Sequence, residues 1–391
     1  MKQYARLLTL ALFLPLLFGL SLAFVILPDR AFSEEENRSL RTLPHFSVEA
    51  LLSGAYSDAI NDYFADQFPM RDTFVGIKGA VALWQGRGGN NGILKGEDHQ
   101  LARRLFDMRR ADGAVTNEID VADYRVLDAA AGAIQRVDES LSVPFTVLLP
   151  PRPIDVAADA FDYPKEISDA MLAHLFEAIP EHISTVDLTS ALQARHRNGE
   201  YVYYRTDHHW TTQGAYYAYC ALMREWGMER EILPMEAFTQ TTASEAFYGT
   251  LWSAGGMKQI KPDSVELWLH GNEDAFAVTV DGRAADGFYN RSYLQKKDKY
   301  STFLDGTHDV VTVTKKGGAD RPTLVIFKDS FANSIAPFLA QHFDLVLLNL
   351  SSARTDFTNI TQHAREFGAD RVLLLYSIEN IITADRIGAL H

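Results

Sequence analysis

The chain of 391 residues contains a single cysteine, Cys220. One thiol excludes an intrachain disulfide and every metal site built from several cysteines. Cys220 lies in an aromatic run at helical spacing and reads as a small core residue rather than a nucleophile. Basic residues are also short: 37 Lys and Arg against 51 Asp and Glu leave a net charge of −14. That balance disfavours a nucleic-acid backbone as partner. No basic stripe, zinc-finger spacing or P-loop offsets it, so no nucleic acid and no cofactor is expected. Internal repeats and low-complexity segments are missing, and so is the Gly-x-Ser-x-Gly nucleophile elbow.

One long apolar run is present, at the N-terminus. In MKQYARLLTLALFLPLLFGLSLAFVILPDR no residue from Leu7 to Leu27 is charged. This is long enough to cross a hydrocarbon core of about 30 Å. The run outlasts the usual apolar core of a signal peptide and meets Pro28 and Asp29 instead of a small-residue cleavage site. An uncleaved membrane anchor is expected, with a cleaved signal as the alternative. Lys2 and Arg6 precede it and Glu34, Glu35 and Glu36 follow. The positive-inside rule then leaves the N-terminus in the cytoplasm and the bulk of the chain outside, periplasmic or extracellular. An exported chain with one cysteine simply uses no disulfides.

Beyond this anchor (1–29), residues 30–120 read as a membrane-proximal connector with helical spacing in VEALLSGAYSDAINDYFADQF. From 121 to 391 helical patterns alternate with short apolar runs. ADYRVLDAAAGAIQRVDESL and KEISDAMLAHLFEAI are expected helices. PFTVLLP, ISTVDL, TLVIF, LVLLNL and RVLLLY are expected strands, with further helices at about 334–343 and 356–367. This rhythm predicts an α/β domain, a doubly wound parallel sheet covered on both faces. Residues 227–320 break the rhythm; VELWL and FAVTV there suggest a β-containing insertion.

Two polar clusters carry the chemistry. One is YYRTDHHWTTQGAYYAY, Tyr203–Tyr219. The other is KDSFANS, directly after the strand TLVIF, which puts Ser330 at a strand-to-helix turn. Open α/β sheets bind ligands at the carboxyl ends of their strands. Ser330 as nucleophile, a histidine as base and an aspartate to orient it would form a triad. On an extended backbone residues i and i+2 share a face, so Asp207 pairs with His209 and His208 points away. Trp210 would wall the site against water. The plainer reading is that Thr206 or Asp207 caps the helix that follows, and that Asp329-Ser330 caps another. A third is a metal bound by Asp207, His208 and His209, joined in space by His182, His196 or His308; no metal is the expectation retained.

These residues resemble the alginate O-acetyltransferase-like proteins of the SGNH-hydrolase superfamily, the group named for its Asp-His-His-Trp motif. The resemblance runs through FSEEENRSLRTLPHFS with DQFPMRD, then TDHHWTTQGAYYAY, FYGTLWSAGG with Lys261–Asp263, and FLDGTHDVVTVT. It ends in TLVIFKDSFANSIAPFLAQHFDLVLLNL. It implies an SGNH-like fold, a Ser330–His209–Asp207 triad, and acetyl transfer onto an exported polysaccharide. The acetyl donor would come by way of a membrane-bound O-acyltransferase. Deacetylation by the same triad and a non-catalytic role organising a polysaccharide export complex are the alternatives. SGNH enzymes usually place an oxyanion-binding asparagine where this chain has Leu304-Asp305-Gly306-Thr307-His308. Gly306, Thr307 and backbone N–H groups at Gly306 and Ser330 are therefore the oxyanion candidates. Lys328, Asp329 and Arg354 near strand ends are pocket candidates. No separate carbohydrate-binding domain is expected after the last strand.

Overall fold

The computed structural model describes the chain except residues 1, 34, 36–37, 105–107, 110–114, 117–123, 163–165, 272, 318–319, 353 and 385. The expected boundary at 120–121 lies outside the described residues. The fold divides into two units, Met1–Asn91 with Ser253–Gln259, and Gly92–Trp252 with Ile260–His391.

In the first unit, α1 (Lys2–Ile26) holds an apolar window, Thr9–Ile26, with mean hydropathy 2.4 and none of it buried. Three helices follow, α2 (Val48–Leu52), α3 (Ala55–Asp66) and α4 (Arg71–Trp84). Sequence reading had not singled out α4. Its buried positions are Gly76, Gly79 and Ala82. A Cβ on Gly79 would come within 3.0 Å of the Gly256 carbonyl carbon, so glycine allows that close approach.

The second unit is built on an eight-stranded sheet. After the short strands Ile93–Lys95 and Leu101–Arg103, its main elements run α5 (Arg125–Ser140), β1 (Phe145–Leu149), α6 (Glu166–Ala178), β2 (Ser184–Asp187), α7 (Thr189–Arg197) and α8 (Thr212–Glu225). Next come β3 (Thr239–Phe247), α9 (Thr250–Gly255), β4 (Asp263–Leu269), β5 (Phe276–Val280), β6 (Arg283–Ala285) and β7 (Val310–Lys315). The chain closes with β8 (Thr323–Lys328), α10 (Ala332–Leu339), β9 (Asp344–Asn349), α11 (Ile360–Glu366), β10 (Arg371–Leu375) and α12 (Ile378–Ala384). Strand order is β6-β5-β7-β9-β8-β10-β1-β2. The five strands from β9 to β2 are parallel.

The parallel strands are apolar on both faces, and alternation splits them between two cores. Leu324, Ile326, Leu345 and Leu347 join α8 and α10 on one face. Val325, Phe327, Val346 and Leu348 join α5, α6 and α11 on the other. The five strands expected from sequence are those five.

The parallel sheet expected from sequence is part of a larger mixed one, and the β-containing insertion expected over 227–320 supplies its other three strands. β5, β6 and β7, all from residues 227–320, extend the main sheet in antiparallel fashion, β7 against β9 and β5 against β7. Their alternating burial shows why: the inward Val278, Val280, Val311 and Val313 have a core to enter only on this sheet. β3 and β4 form their own antiparallel pair.

Candidate functional site

The Asp-His-His-Trp stretch lies in a tight loop. An antiparallel bridge, Tyr203 to Trp210, closes it. Asp263 pins its crown, accepting hydrogen bonds from the Arg205 and Thr206 N–H groups at 2.9 and 2.8 Å and from the Tyr201 hydroxyl. The Thr206 hydroxyl also donates to Asp263, at 2.5 Å. Helix α8 begins only after the loop. Its N-cap is Thr211, whose hydroxyl accepts from the Gly214 N–H at 3.2 Å. The cap expected at Thr206 or Asp207 is thus corrected, because both side chains are engaged elsewhere.

Asp207 is buried and fully engaged. Its Oδ1 accepts from the His209 N–H at 3.1 Å, an Asx turn, and from His209 Nδ1 at 2.6 Å. Its Oδ2 accepts from the Thr250 N–H at 2.8 Å and the Thr250 hydroxyl at 3.1 Å. The i, i+2 pairing expected from sequence is present. Its premise is corrected, since a turn rather than extended backbone brings the two side chains together. His208 is corrected as well. It does not point away; its Nδ1 meets the Thr250 hydroxyl at 2.8 Å, and its ring centroid lies 3.9 Å from that of His209. Gly249 makes the close approach possible: a Cβ there would fall 2.7 Å from the Asp207 carboxyl carbon.

Ser330 follows β8 by two residues and precedes α10. Its Oγ lies 2.6 Å from His209 Nε2. An ionised Asp207 only accepts, so the proton sits on Nδ1 and Nε2 is left to accept from the serine. Electrostatics agree. Burial raises the Asp207 carboxyl, but the charges of His208 and His209 and the hydrogen bonds it accepts outweigh this and hold it well below the usual carboxylate range. Burial lowers the His209 pKa, His208 lowers it further, and Asp207 opposes both. His209 is therefore neutral at neutral pH, the form that can take a proton.

Other candidates fall in different places. Trp210 does not wall the site. It is fully buried, donates from Nε1 to the Ser334 hydroxyl at 2.8 Å and packs edge-on against Phe331. It supports the floor under His209, whose ring also meets Phe331. The Gly306 N–H is taken up by the Phe303 carbonyl at 3.1 Å, so it is not a free donor. Its carbonyl accepts from Asn333 Nδ2 at 2.9 Å, tying this loop to α10. Thr307 is exposed. Among the described residues the Ser330 and Thr307 N–H groups carry no hydrogen bond. Leu304 and Asp305 hold positive φ of 51° and 61° before Gly306 at 85°. A buried leucine at such an angle is strained, and strain of this kind gathers at functional loops.

Lys328 is fully buried and its Nζ donates to Asn333 Oδ1 at 2.7 Å; burial lowers its pKa to about 8 against the opposing pull of Asp329. Asp329 accepts from the Phe331 and Ser377 N–H groups and from Asn380, bracing the turn. Neither lines an open pocket. Arg354 is 73% exposed and faces Asp281 and Asp309; none of its polar contacts is with Asp207, His209 or Ser330. It borders a separate cleft with Ser352, Thr355 and Arg386. His308 pairs with Asp281 and Asp305, and His182 with Asp138.

Asp207, His208 and His209 place ligand atoms within 4.8 Å of one another, the spacing a metal would need. The hydrogen bonds argue for a different use. Both carboxylate oxygens and both Nδ1 atoms are already engaged with His209, Thr250 or Asp207.

Sequence reading missed Tyr300, the first residue of a short 3-10 helix (Tyr300–Thr302) before β7. Its ring lies flat on His209, and its hydroxyl meets the Ser330 carbonyl at 3.1 Å and the Ser334 hydroxyl at 3.2 Å. No spacing or motif in KDKYSTF signals this. Thr250 and Gly249 were noted only within FYGTLWSAGG, and the signal there was a glycine before a threonine.

Known proteins resemble this chain in sequence and in fold. A 190-residue alignment at 26% identity links the chain to the probable alginate O-acetylase AlgJ of Pseudomonas syringae pv. tomato, covering 45% of each chain. The match thus spans under half the length of that relative. Among solved structures, Bacillus cereus PatB1 with a sulfonyl adduct has a TM-score of 0.61 at 18% identity, covering 76% of this chain and 98% of that one. A DHHW family protein from Eubacterium siraeum has a TM-score of 0.54 at 21% identity, covering 76% and 97%. These two share the fold. The family model described as DHHW protein matches residues 171–349, from α6 through β9, and over this segment, which holds Asp207, His209 and Ser330, the chain is similar to that family.

Proposed function

We propose that the chain is a membrane-anchored, extracytoplasmic serine O-acetyltransferase that acts on an exported polysaccharide. The observation that carries this reading is the unbroken line Asp207 Oδ1, His209 Nδ1, His209 Nε2, Ser330 Oγ, with both links at 2.6 Å. The alignment with an alginate O-acetylase favours acetyl as the group and a polysaccharide as the acceptor.

His209 Nε2 takes the Ser330 proton while Oγ bonds to the acetyl carbon of the donor. The donor's leaving group departs with the proton from His209. An acceptor hydroxyl then gives its proton to His209 and attacks the acetyl carbon, and Ser330 leaves with the proton restored. Asp207 keeps the ring oriented and stabilises its charged form. The free N–H groups of Ser330 and Thr307 are the donors for the oxyanion, the role sequence reading had divided between Ser330 and Gly306. The donor reaches this site from a membrane-bound O-acyltransferase, and the apolar α1 fixes the chain beside it with its N-terminus in the cytoplasm.

The test uses an activated acetyl ester and mass spectrometry. Acetyl should accumulate on Ser330 and vanish in His209→Ala. Loss of polysaccharide acetylation in cells carrying Ser330→Ala would extend the result to the acceptor. A folded protein whose Ser330 takes neither acetyl nor a sulfonyl fluoride would sink the enzymatic reading and leave a binding role.

A further inference from the structure

The first unit turns the usual logic of a water-soluble helix inside out. Helix α4 buries only small residues, Gly76, Gly79 and Ala82. Four of its large apolar residues are exposed: Phe74, Ile77, Val81 and Trp84, with Ile77 53% and Trp84 85% exposed. These four recur at spacings of three and four, so they form one stripe along the helix. Helix α2 buries none of its residues. Val48, Leu51 and Leu52 share a face and are exposed, Leu52 at 83%. Phe64, Phe68 and Met70 continue the surface between α3 and α4. Single exposed apolar residues are ordinary; a contiguous field of them marks a surface that meets something other than water.

The occupant follows from where this field begins. Phe24, near the end of α1, packs on Tyr63 and Phe64 of α3 at 5.8 and 5.1 Å between ring centroids. Phe68 then meets Phe74 of α4 at 5.7 Å. The exit from α1 is clasped to the same helices. Gln67 exchanges hydrogen bonds with the Arg30 backbone at 2.9 Å, Arg30 pairs with Asp72 at 2.8 Å, and the Tyr63 hydroxyl donates to Asp29 at 3.0 Å. The exposed stripe is therefore continuous with the lipid-facing anchor and held at the level where that anchor leaves the bilayer. Aromatic and leucine side chains on short amphipathic helices suit the headgroup–acyl boundary.

We propose that α2, α3 and α4 lie in the outer lipid interface with the Phe74–Trp84 stripe sunk into it, so that the first unit is a monotopic foot rather than a free tether. The inference rests on the reading of α1 as a membrane anchor. Such a foot fixes the height and tilt of the first unit at the membrane surface.

The experiment uses the full chain in phosphatidylcholine vesicles, with Cys220→Ala as background. Single cysteines replace Ile77, Trp84, Phe18 in α1, and Asp62, and each carries a nitrobenzoxadiazole label. Asp62 lies about 160° around α3 from Phe64 and serves as the water-facing control. Lipids spin-labelled near the headgroup should quench the labels at 77 and 84 about twofold or more and leave 62 unaffected. Lipids labelled deep in the acyl chain should quench 18. If 18 is quenched while 77 and 84 behave like 62, the foot is wrong and the anchor stands. If 77 and 84 are shielded from aqueous iodide yet unquenched by either lipid, a protein surface covers the stripe and the lipid assignment falls. If 18 is also unquenched, the anchor itself fails.

Discussion

The ring of Tyr300 lies on the ring of His209, with centroids 3.7 Å apart and planes 8° from parallel. The stack fixes the plane of the imidazole, while Asp207 fixes its rotation. The Tyr300 hydroxyl reaches past it to the Ser330 carbonyl. One side chain from outside both sequence motifs thus touches the base and the backbone of the nucleophile.

Tyr300→Phe keeps the stack and leaves the Ser330 carbonyl without this donor. A modest loss of stability, about 1 kcal/mol, is expected with most of the Ser330 acylation rate retained. Tyr300→Ala empties the space beside His209 and should cost about 3–5 kcal/mol. Its acylation rate should fall much further than that of Tyr300→Phe. Denaturant unfolding and acetyl-ester kinetics on the pair check both points; equal rates in the two variants would refute the role of the stack.

Asp207→Asn tests orientation. An amide offers one acceptor oxygen where the carboxylate accepts four hydrogen bonds. Its NH₂ must face either Thr250 or His209, both of which donate. Ser330 acylation should drop about 10⁴-fold. Mass spectrometry of the acylated serine over time measures it, and a loss below about tenfold would contradict the assigned role.

Much of this was legible beforehand, for physical reasons. The five parallel strands are near-continuous apolar runs because both faces are buried, and such runs stand out. The Asp207–His209 pair was found from side-chain direction, although the true cause is an Asx turn. What escaped were features that depend on distant segments. Nothing local marks Tyr300, because its partner lies 91 positions earlier in the chain. The antiparallel strands β5 to β7 were seen as strands, but their sheet partner β9 follows them in sequence and has no local signal. Trp210 was misplaced because an aromatic beside a reactive histidine looks like a wall, whereas Ser334 and Phe331 take it into the core.

Gly249→Ala probes packing against the carboxylate. The new methyl would press on the Asp207 carboxyl carbon, 2.7 Å away. Overpacking of this kind costs about 1–3 kcal/mol. The carboxylate must shift away from Thr250 or from His209, so acylation should fall while the circular dichroism spectrum stays native. A fully active Gly249→Ala protein would show that the carboxylate tolerates displacement.

The pH profile follows from His209. The base must be neutral, and burial with His208 nearby lowers its pKa. The acid limb of acylation should therefore lie below pH 6.5, the ordinary histidine value. His208→Gln removes one cause of the lowering. The His209 pKa then rises, the base protonates earlier on acidification, and the acid limb moves up in pH. Rates measured across the acid range for both proteins decide this; an unmoved limb would mean that His208 exerts no charge effect on the base.

Lys328 gives a prediction about stability rather than rate. Its ammonium is buried, and its pKa is lowered from 10.5 to about 8. Between those values the unfolded chain holds a proton that the native protein has released. The linkage relation then makes native stability rise with pH across that window, because the unfolded state binds more protons. The rise from this group should amount to roughly 2–3 kcal/mol. Lys328→Met keeps the volume and removes the titration, so its stability should not show this increment. At neutral pH, where the wild-type ammonium is charged and buried, the methionine variant should be as stable or more so. Acylation should nevertheless suffer. Asn333 loses the donor to its Oδ1, its amide is free to turn, and the bond from Nδ2 to the Gly306 carbonyl slackens. The loop carrying Thr307 is then held less firmly against α10. Unfolding titrations at several pH values between 7 and 10, paired with acylation rates, separate the two effects. A variant that loses stability and rate in proportion would show Lys328 to be structural and nothing more.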